Sequence, residues 1–243
     1  MSVATIAGWE RGGYAPLPRH RPRLAKALKV SVIEVDRMID PHATPMVLNG
    51  HRVPTWLNHY ESLVLEAGRL AQVEKDVVPA LLQTKAYAEA IERSGPLPFS
   101  EQQVTERVDV RLARQRVLHR EPDPLESINL ITEAVLRDVV GGRDVMIEQL
   151  DHLLDLAELP NVEVRIVPPD GTSANTRSSF ELLMKPGETE PFMAVTLSID
   201  GARYIEHSDL VPAFATAYGF VSAAALSPTE SARRIHDIRE SYR

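Results

Sequence analysis

The chain has 243 residues, of which 44% are hydrophobic and 25% are charged, and its formal net charge is −7. This composition is typical of a globular protein with one large and one small domain, and the acidic balance argues against a general nucleic-acid coat. The absence of cysteine excludes disulfides, thiolate nucleophiles and cysteine-based zinc sites, and it fits a cytoplasmic location. No segment has the length of an apolar membrane span and no signal peptide is visible, so we expect no membrane contact.

The segment from Ser2 to Gly12 has the pattern of a DNA-recognition helix. Ser2 can cap its first turn, Ile6 and Trp9 share one face, and Gly12 is placed for a left-handed C-cap. The segment resembles the reading helix of a lambda-repressor-like helix-turn-helix. We predict DNA contacts from polar and basic residues near the amino terminus: Ser2, Thr5, Arg11, Arg19, Arg21 and Arg23.

This module is incomplete, because a helix-turn-helix needs two helices ahead of the reader. Residues 1–40 therefore form a partial, all-α module that we expect to dock on the large domain or on a second chain, as in a homodimer. The outward positions Val3, Ala4 and Ala7 offer no polar group to base edges. Residues 1–40 nevertheless carry seven Lys/Arg against four Asp/Glu. We expect weak, salt-sensitive binding of duplex DNA, or its loss.

Two further helices are predicted within residues 1–40, ahead of the domain boundary. Arg19 to Lys29 predicts a helix, and Ser31 with Glu34 forms a capping box for another. Residues 41–54, rich in Pro and Gly, predict a linker. Residues 55–243 then form the large domain. Helical spacing or caps predict its helices at residues 56–75, 81–93, 100–120 and 144–159, with a short strand at 128–131.

Alternation of apolar and polar residues predicts the remaining strands. These strands lie at residues 162–167, 179–184 and 192–199, followed by a tight hairpin at Asp200-Gly201 into 203–205. Helices return at 208–225 and 227–242, the latter opened by Ser227, Pro228 and Glu230 as cap, first-turn proline and capping box. The predicted fold is α+β: helices around a small, mainly antiparallel sheet.

Short motifs follow one another in order along the large domain: Val78–Thr84, Arg111–Gln115, Glu133–Leu136, Val140–Gly142, Leu159–Val162 and Ala225–Ser231. Together they resemble the C-terminal domain, of unknown function, of actinobacterial helix-turn-helix (XRE-type) regulators of the Scr antitoxin-like family. Ala80 departs from a glycine usual there, and Met1 stands inside the helix-turn-helix motif, which suggests a start codon further upstream. The resemblance implies an operator-reading first domain, a sensing or partner-binding second domain, and a small acidic companion protein.

Five polar residues inside apolar, motif-bearing segments are candidates for a pocket that holds a small molecule or a partner: Gln83, Thr84, Arg114, Gln115 and Glu133. The alternative, which we favour, is that they cap helices or form structural hydrogen bonds and an internal salt bridge. Gln115 shares the inner stripe of its helix with Val108 and Leu112. Arg114 diverges from it by about 100° and is placed to pair with Glu133 or another acid.

The sequence contains no recognisable catalytic, metal or cofactor motif. Its eight histidines have no metal-ligand spacing, and Gly141-Gly142 lacks the features of a phosphate loop or dinucleotide fingerprint. We therefore expect no cofactor, and a transcriptional regulator rather than an enzyme. The alternatives are a regulator-derived enzyme acting on a small molecule in a biosynthetic pathway, and a structural partner of the acidic companion.

Overall fold

The computed structural model describes residues 21–28, 47–48, 51–52, 60, 63–95, 99–169, 178–198, 201–206 and 210–243. The chain divides into two compact units, residues 1–60 and 61–243. In the first unit, α1 (Arg21–Leu28) confirms the helix predicted there. The recognition-like helix and the capping box at Ser31 lie outside the described residues.

The predicted linker, residues 41–54, contains a small hairpin that the sequence analysis did not predict. Strands β1 (Val47–Leu48) and β2 (His51–Arg52) pair antiparallel, with Leu48 opposite His51. The sequence between them is Asn49-Gly50, the strongest short-range signal for a hairpin. The local turn chemistry therefore outweighs the prolines on either side of it.

The second unit is built on a six-stranded mixed sheet with the order β5-β4-β3-β6-β7-β8. Its strands are β3 (Arg69–Glu74), β4 (Glu126–Thr132), β5 (Val162–Val167), β6 (Phe180–Met184), β7 (Met193–Ser198) and β8 (Gly201–Ile205). Strands β3, β4 and β5 are parallel, and the three remaining pairings are antiparallel. Each parallel pair is joined by helices, as a crossover connection requires. The α+β class is confirmed.

Besides the helical residues 63–66, the helices described in this unit are α2 (Lys85–Ser94), α3 (Glu101–Arg114), α4 (Glu133–Arg137), α5 (Arg143–Leu156), α6 (Val211–Ala224) and α7 (Pro228–Glu240), with 3₁₀ turns at Ala80–Leu82 and Gln115–His119. The predicted capping boxes are confirmed at Ser100 of α3 and Ser227 of α7. Helix α2 begins four residues later than predicted because Thr84 caps it. Helix α3 ends earlier than predicted, where its backbone tightens into the 3₁₀ turn.

The single helix predicted over residues 56–75 is wrong. Residues 63–66 are helical, but the chain then enters β3, which lies third in the spatial order of the six-stranded sheet. Every residue from Leu70 to Glu74 is buried, because β3 pairs with a neighbour on each side and is covered on both faces. Such pairing overrides a helical pattern of apolar residues. Gly68 opens the strand, and a Cβ there would lie 2.5 Å from the Cα of Pro186.

Helix α6 covers one face of the sheet. Its Phe214 meets Phe180 of β6 edge to face, with ring centroids 5.1 Å apart. Ala71 and Val73 of β3 belong to the same apolar cluster. Because side chains alternate along a strand, Gln72 and Glu74 lie on the opposite face.

Candidate functional site

Three buried polar side chains form a row across the central strands, on the face opposite α6. Gln72 of β3 is in register with Asn129 of β4 on one side and with Glu181 of β6 on the other. The Gln72 amide donates to the Asn129 side chain, whose own amide donates to the carbonyl of Glu163 at 2.9 Å. Polar groups at this depth are costly unless they are bonded. Gln72 and Asn129 therefore tie β3, β4 and β5 together through their side chains as well as through the backbone.

Glu74 lies at the carboxyl end of β3, two residues along the same face, and is 9% exposed. Burial raises the pKa of this carboxyl to about 8, and the negative charges of Glu181 and Asp76 add to the effect. The hydrogen bond with Ser179 opposes the rise. Ser179 is held in place because its hydroxyl donates to Asp76 at 2.8 Å. At neutral pH, Glu74 is therefore mainly a neutral carboxylic acid.

A cleft of about 740 Å³ opens where the chain leaves β3. Ligand sites of open sheets commonly lie beyond the carboxyl ends of their parallel strands. The walls are the start of the loop after β3, one side of α2 and the turn from α4 to α5. Its lining combines apolar side chains with acidic ones, and includes Val77, Ala86, Ala90, Val145, Asp76, Glu89 and Asp138.

The electrostatic balance of this cleft is negative. Asp76 and Asp138 are exposed at its rim, and Glu89 lies along α2. Among the described residues of the lining the one arginine is Arg93, which donates to Glu89 at 3.1 Å and to Glu101 at 3.0 Å. Its charge is thus already balanced by carboxylates, and the cleft favours a positively charged ligand.

Gly141 lines the cleft where the turn from α4 to α5 packs closely against α2. Its φ is +71°, and a Cβ at this position would lie 2.8 Å from the Cβ of Ala90. Both the backbone conformation and the contact with α2 therefore require glycine. The Val140–Gly142 motif found in the sequence therefore forms the turn that packs against α2.

Beside the cleft, three glutamines bind the irregular loop of residues 78–84. Gln83 donates to the carbonyl of Val78 at 2.6 Å, and Gln115 donates to the carbonyl of Gln83 at 2.7 Å. Gln149 of α5 donates to the carbonyl of Leu82 at 2.7 Å. Buried backbone groups outside regular structure need such partners. Side chains from the 3₁₀ turn after α3 and from α5 therefore supply the hydrogen bonds that this loop lacks in the absence of regular backbone pairing.

The same cluster contains a buried ion pair. Glu92 of α2 is 5% exposed and is bound by both Arg107 and Arg111 of α3. Arg111 also donates to the Gln83 side chain at 2.9 Å. Burial lowers the pKa of Arg111, and the charge of Glu92 acts against that change. The pair connects α2, α3 and the loop.

The structure brings together three of the five predicted pocket residues, Gln83, Thr84 and Gln115, and uses them as caps and hydrogen-bond partners of the loop. Arg114 is the last residue of α3 and is half-buried. Glu133 belongs to another set of contacts, since Arg137 and Arg234 bind its carboxylate. These two hydrogen bonds lower its pKa although burial opposes them.

Of the predicted DNA-contact residues, Arg21 and Arg23 lie on α1. Ser2, Thr5, Arg11 and Arg19 lie outside the described residues. The DNA contacts stay predictions.

The sequence model of a protein family described as a domain of unknown function, DUF5753, matches residues 57–237. The chain belongs to this family. Neither a curated protein nor a solved structure matches it. In this family member the match contains all six strands of the sheet, the glutamine-bound loop and the cleft.

Sequence reasoning missed the residues whose setting depends on the sheet. Gln72 and Glu74 were assigned to a helix, and the alternation of apolar and polar residues in Ala71-Gln72-Val73-Glu74 was the available signal. Glu92 gave no signal beyond its position on an amphipathic helix. Among the residues that the structure describes, none of the helices could cross a membrane and no cluster of His, Asp and Glu could hold a metal ion.

Proposed function

We propose that this protein is a cytoplasmic helix-turn-helix transcriptional regulator whose second unit senses a small organic cation. The DNA-binding half of the proposal is supported by the recognition-like pattern at Ser2–Gly12 and by the basic excess of residues 1–40. The sensing half is carried by one observation, the cleft beyond the carboxyl end of β3. Its size is within the range of small-molecule sites.

The lining supports a ligand with a positive charge and a small apolar body. Asp76 and Asp138 would attract the charge, while Val77, Ala86 and Val145 would contact the apolar part. A cation placed near Asp76 also favours the ionised form of Glu74, so binding would release a proton from this group. Ligand affinity should therefore increase as pH rises from 6 toward 8.

Thermal-shift measurements with a panel of primary and quaternary organic amines, each paired with its neutral isostere, test the sensing half. We expect amines to stabilise the protein and their isosteres to have little effect. The Asp138→Asn variant should weaken binding at least about tenfold, whereas Glu188→Gln, an exposed charge in the turn after β6, should leave it unchanged. Equal shifts with amines and isosteres would contradict a cation sensor.

Fluorescence anisotropy with labelled duplex DNA tests the regulatory half. Binding should be weak and should fall steeply with added salt, because the available contacts are to phosphate. Arg23→Ala should weaken binding, and Arg203→Ala of β8 should not. Absence of binding at low salt would contradict this half, while nanomolar binding to one operator that Thr5→Ala abolishes would show direct reading of bases.

A further inference from the structure

The cleft beyond β3 is elongated along α2. Five residues of this helix line it at the spacing of one helical face: Ala86, Glu89, Ala90, Arg93 and Ser94. Because an α-helix rises about 1.5 Å per residue, this stripe is about 12 Å long. The cleft therefore has two ends, one at the first turn of α2 and one at its last turn.

The end at the first turn of α2 is acidic. The backbone amide of Val78 donates to the Tyr87 hydroxyl at 3.2 Å, which places the loop after β3, and with it Asp76, beside this turn. Burial raises the pKa of Tyr87, and the charge of nearby Asp138 adds to the effect. Asp76 and Asp138 are exposed and form no ion pair within the described part of the chain. Two unbalanced carboxylates are therefore available to a ligand at this end.

The charges at the other end of the cleft are balanced within the protein. The carboxylate of Glu89 lies 3.9 Å from Lys85 and 3.1 Å from Arg93. Arg93 also binds Glu101 at 3.0 Å. A second positive group of a ligand would lose water at this end without gaining an unpaired carboxylate.

Between the two ends the lining is aliphatic. Ala86 and Ala90 contribute methyl groups from α2, and Val77 and Val145 line the other walls. The backbone of Gly141 comes so close to α2 that a Cβ there would lie 2.8 Å from the Cβ of Ala90. A lining of methyl groups with walls this close favours an unbranched hydrocarbon chain.

The acidic end also distinguishes between kinds of cation. A primary ammonium group carries three N–H donors, and Asp76 and Asp138 can accept them in charge-assisted hydrogen bonds. A quaternary ammonium group has no such donor, and its recognition relies on aromatic rings. The described lining includes no aromatic side chain. The cleft is therefore suited to a primary amine.

We infer that the cleft binds a primary monoamine with an unbranched aliphatic chain, and that Arg93 makes it discriminate against a diamine. The ammonium group lies at the acidic end, and the hydrocarbon chain runs along α2. Arg93 determines specificity because it neutralises Glu89 and Glu101, which would otherwise attract a second ammonium group. The inference rests on the proposed cation sensing and names the chemical class of the ligand.

Calorimetric titration at low ionic strength tests this with four probes: butylamine, octylamine, the straight-chain diamine of octane and octyltrimethylammonium. Octylamine should bind at least about tenfold more tightly than butylamine, because each further CH₂ group leaves water for the aliphatic lining. It should also bind at least about fivefold more tightly than the diamine and the quaternary amine.

Arg93→Gln tests the origin of the discrimination. With Glu89 and Glu101 unpaired, the diamine should gain at least about threefold in affinity relative to octylamine. The ratio of the two dissociation constants is the readout, so a change in overall affinity cancels. The matched control is Arg243→Gln, which removes an exposed arginine paired with Glu240 at 2.9 Å and should leave the ratio unchanged.

The outcomes separate this inference from the proposed function. Equal binding of octylamine and the diamine would overturn the inference, and so would a ratio that Arg93→Gln does not change. A quaternary amine that binds as tightly as octylamine would also overturn it, and the protein would still be a cation sensor. If none of the four amines binds, cation sensing itself is wrong and the inference falls with it.

Discussion

The side chain of Gln149 accepts a hydrogen bond from the backbone amide of Thr84 at 2.8 Å, across 65 positions of sequence. Its amide group also donates to the carbonyl of Leu82. One side chain of α5 thus satisfies a donor and an acceptor of the loop that begins α2. Gln149 is completely buried, so water cannot replace it.

Replacing Gln149 with leucine should therefore destabilise the protein. The change leaves two buried backbone groups unbonded, at a cost of about 2–4 kcal/mol in the free energy of unfolding. Urea denaturation measures it. Gln102→Leu on the exposed side of α3 is the matched control and should change stability by less than about 0.5 kcal/mol. Equal losses in the two variants would show that the loop does not depend on Gln149.

Gln115→Leu distinguishes a structural glutamine from a ligand-binding one. Because Gln115 donates to the carbonyl of Gln83, we expect a loss of about 1–3 kcal/mol of stability. Amine binding in the cleft should not change. Unaltered stability combined with weaker ligand binding would instead place Gln115 in the binding site.

The carboxylate of Glu92 balances two arginines in a buried place. Glu92→Leu should cost about 2–4 kcal/mol, since Arg111 would be left buried without its partner. The loss is moderated because Arg107 is 39% exposed. Glu101→Gln removes a carboxylate from an exposed pair with Arg93 and should have no measurable effect. Chemical denaturation of both variants measures the two losses of stability. Equal losses would show that burial of Glu92 does not matter.

Glu74 should make stability fall as pH rises. Its pKa is about 8 in the folded protein and 4.5 unfolded, so between these values the unfolded state has released a proton that the folded state retains. The contribution of Glu74 to the free energy of unfolding therefore decreases as pH rises through this window and levels off above pH 8. Glu74→Gln, which resembles the neutral acid, should remove this dependence. If the free energies of unfolding of the two proteins change equally between pH 5 and pH 8, the assignment is refuted.

Substitution of alanine for glycine should have opposite effects on stability at two positions. Gly141→Ala introduces a Cβ against Ala90 at a positive φ and should cost at least about 1–2 kcal/mol. Gly219→Ala adds a methyl group in open space within α6 and should stabilise the folded chain by about 0.5–1 kcal/mol. Thermal melts of both variants check the signs. A stabilised Gly141→Ala would mean that the turn beside the cleft can relax.

Elements whose signals are local followed from the sequence. The capping boxes at Ser100 and Ser227 start their helices as expected, because side chain and backbone partner are only three residues apart. The alternation in Val162–Val167 and the hairpin between β7 and β8 were equally readable. Polar residues in the loop and against it, such as Gln83 and Gln115, were recognised as unusual, since they interrupt apolar segments.

Elements that depend on partners distant in sequence could not be predicted from the sequence. Apolar residues follow helical spacing as far as Leu70, yet residues 69–74 form β3 because β4 and β6 bond to both of its edges. Glu74 looked like any surface acid, and only the strands and helices around it remove its water and raise its pKa. Local chemistry determined where the capped helices α3 and α7 begin. The tertiary structure decided which polar groups are buried together, because burial depends on residues far apart in sequence.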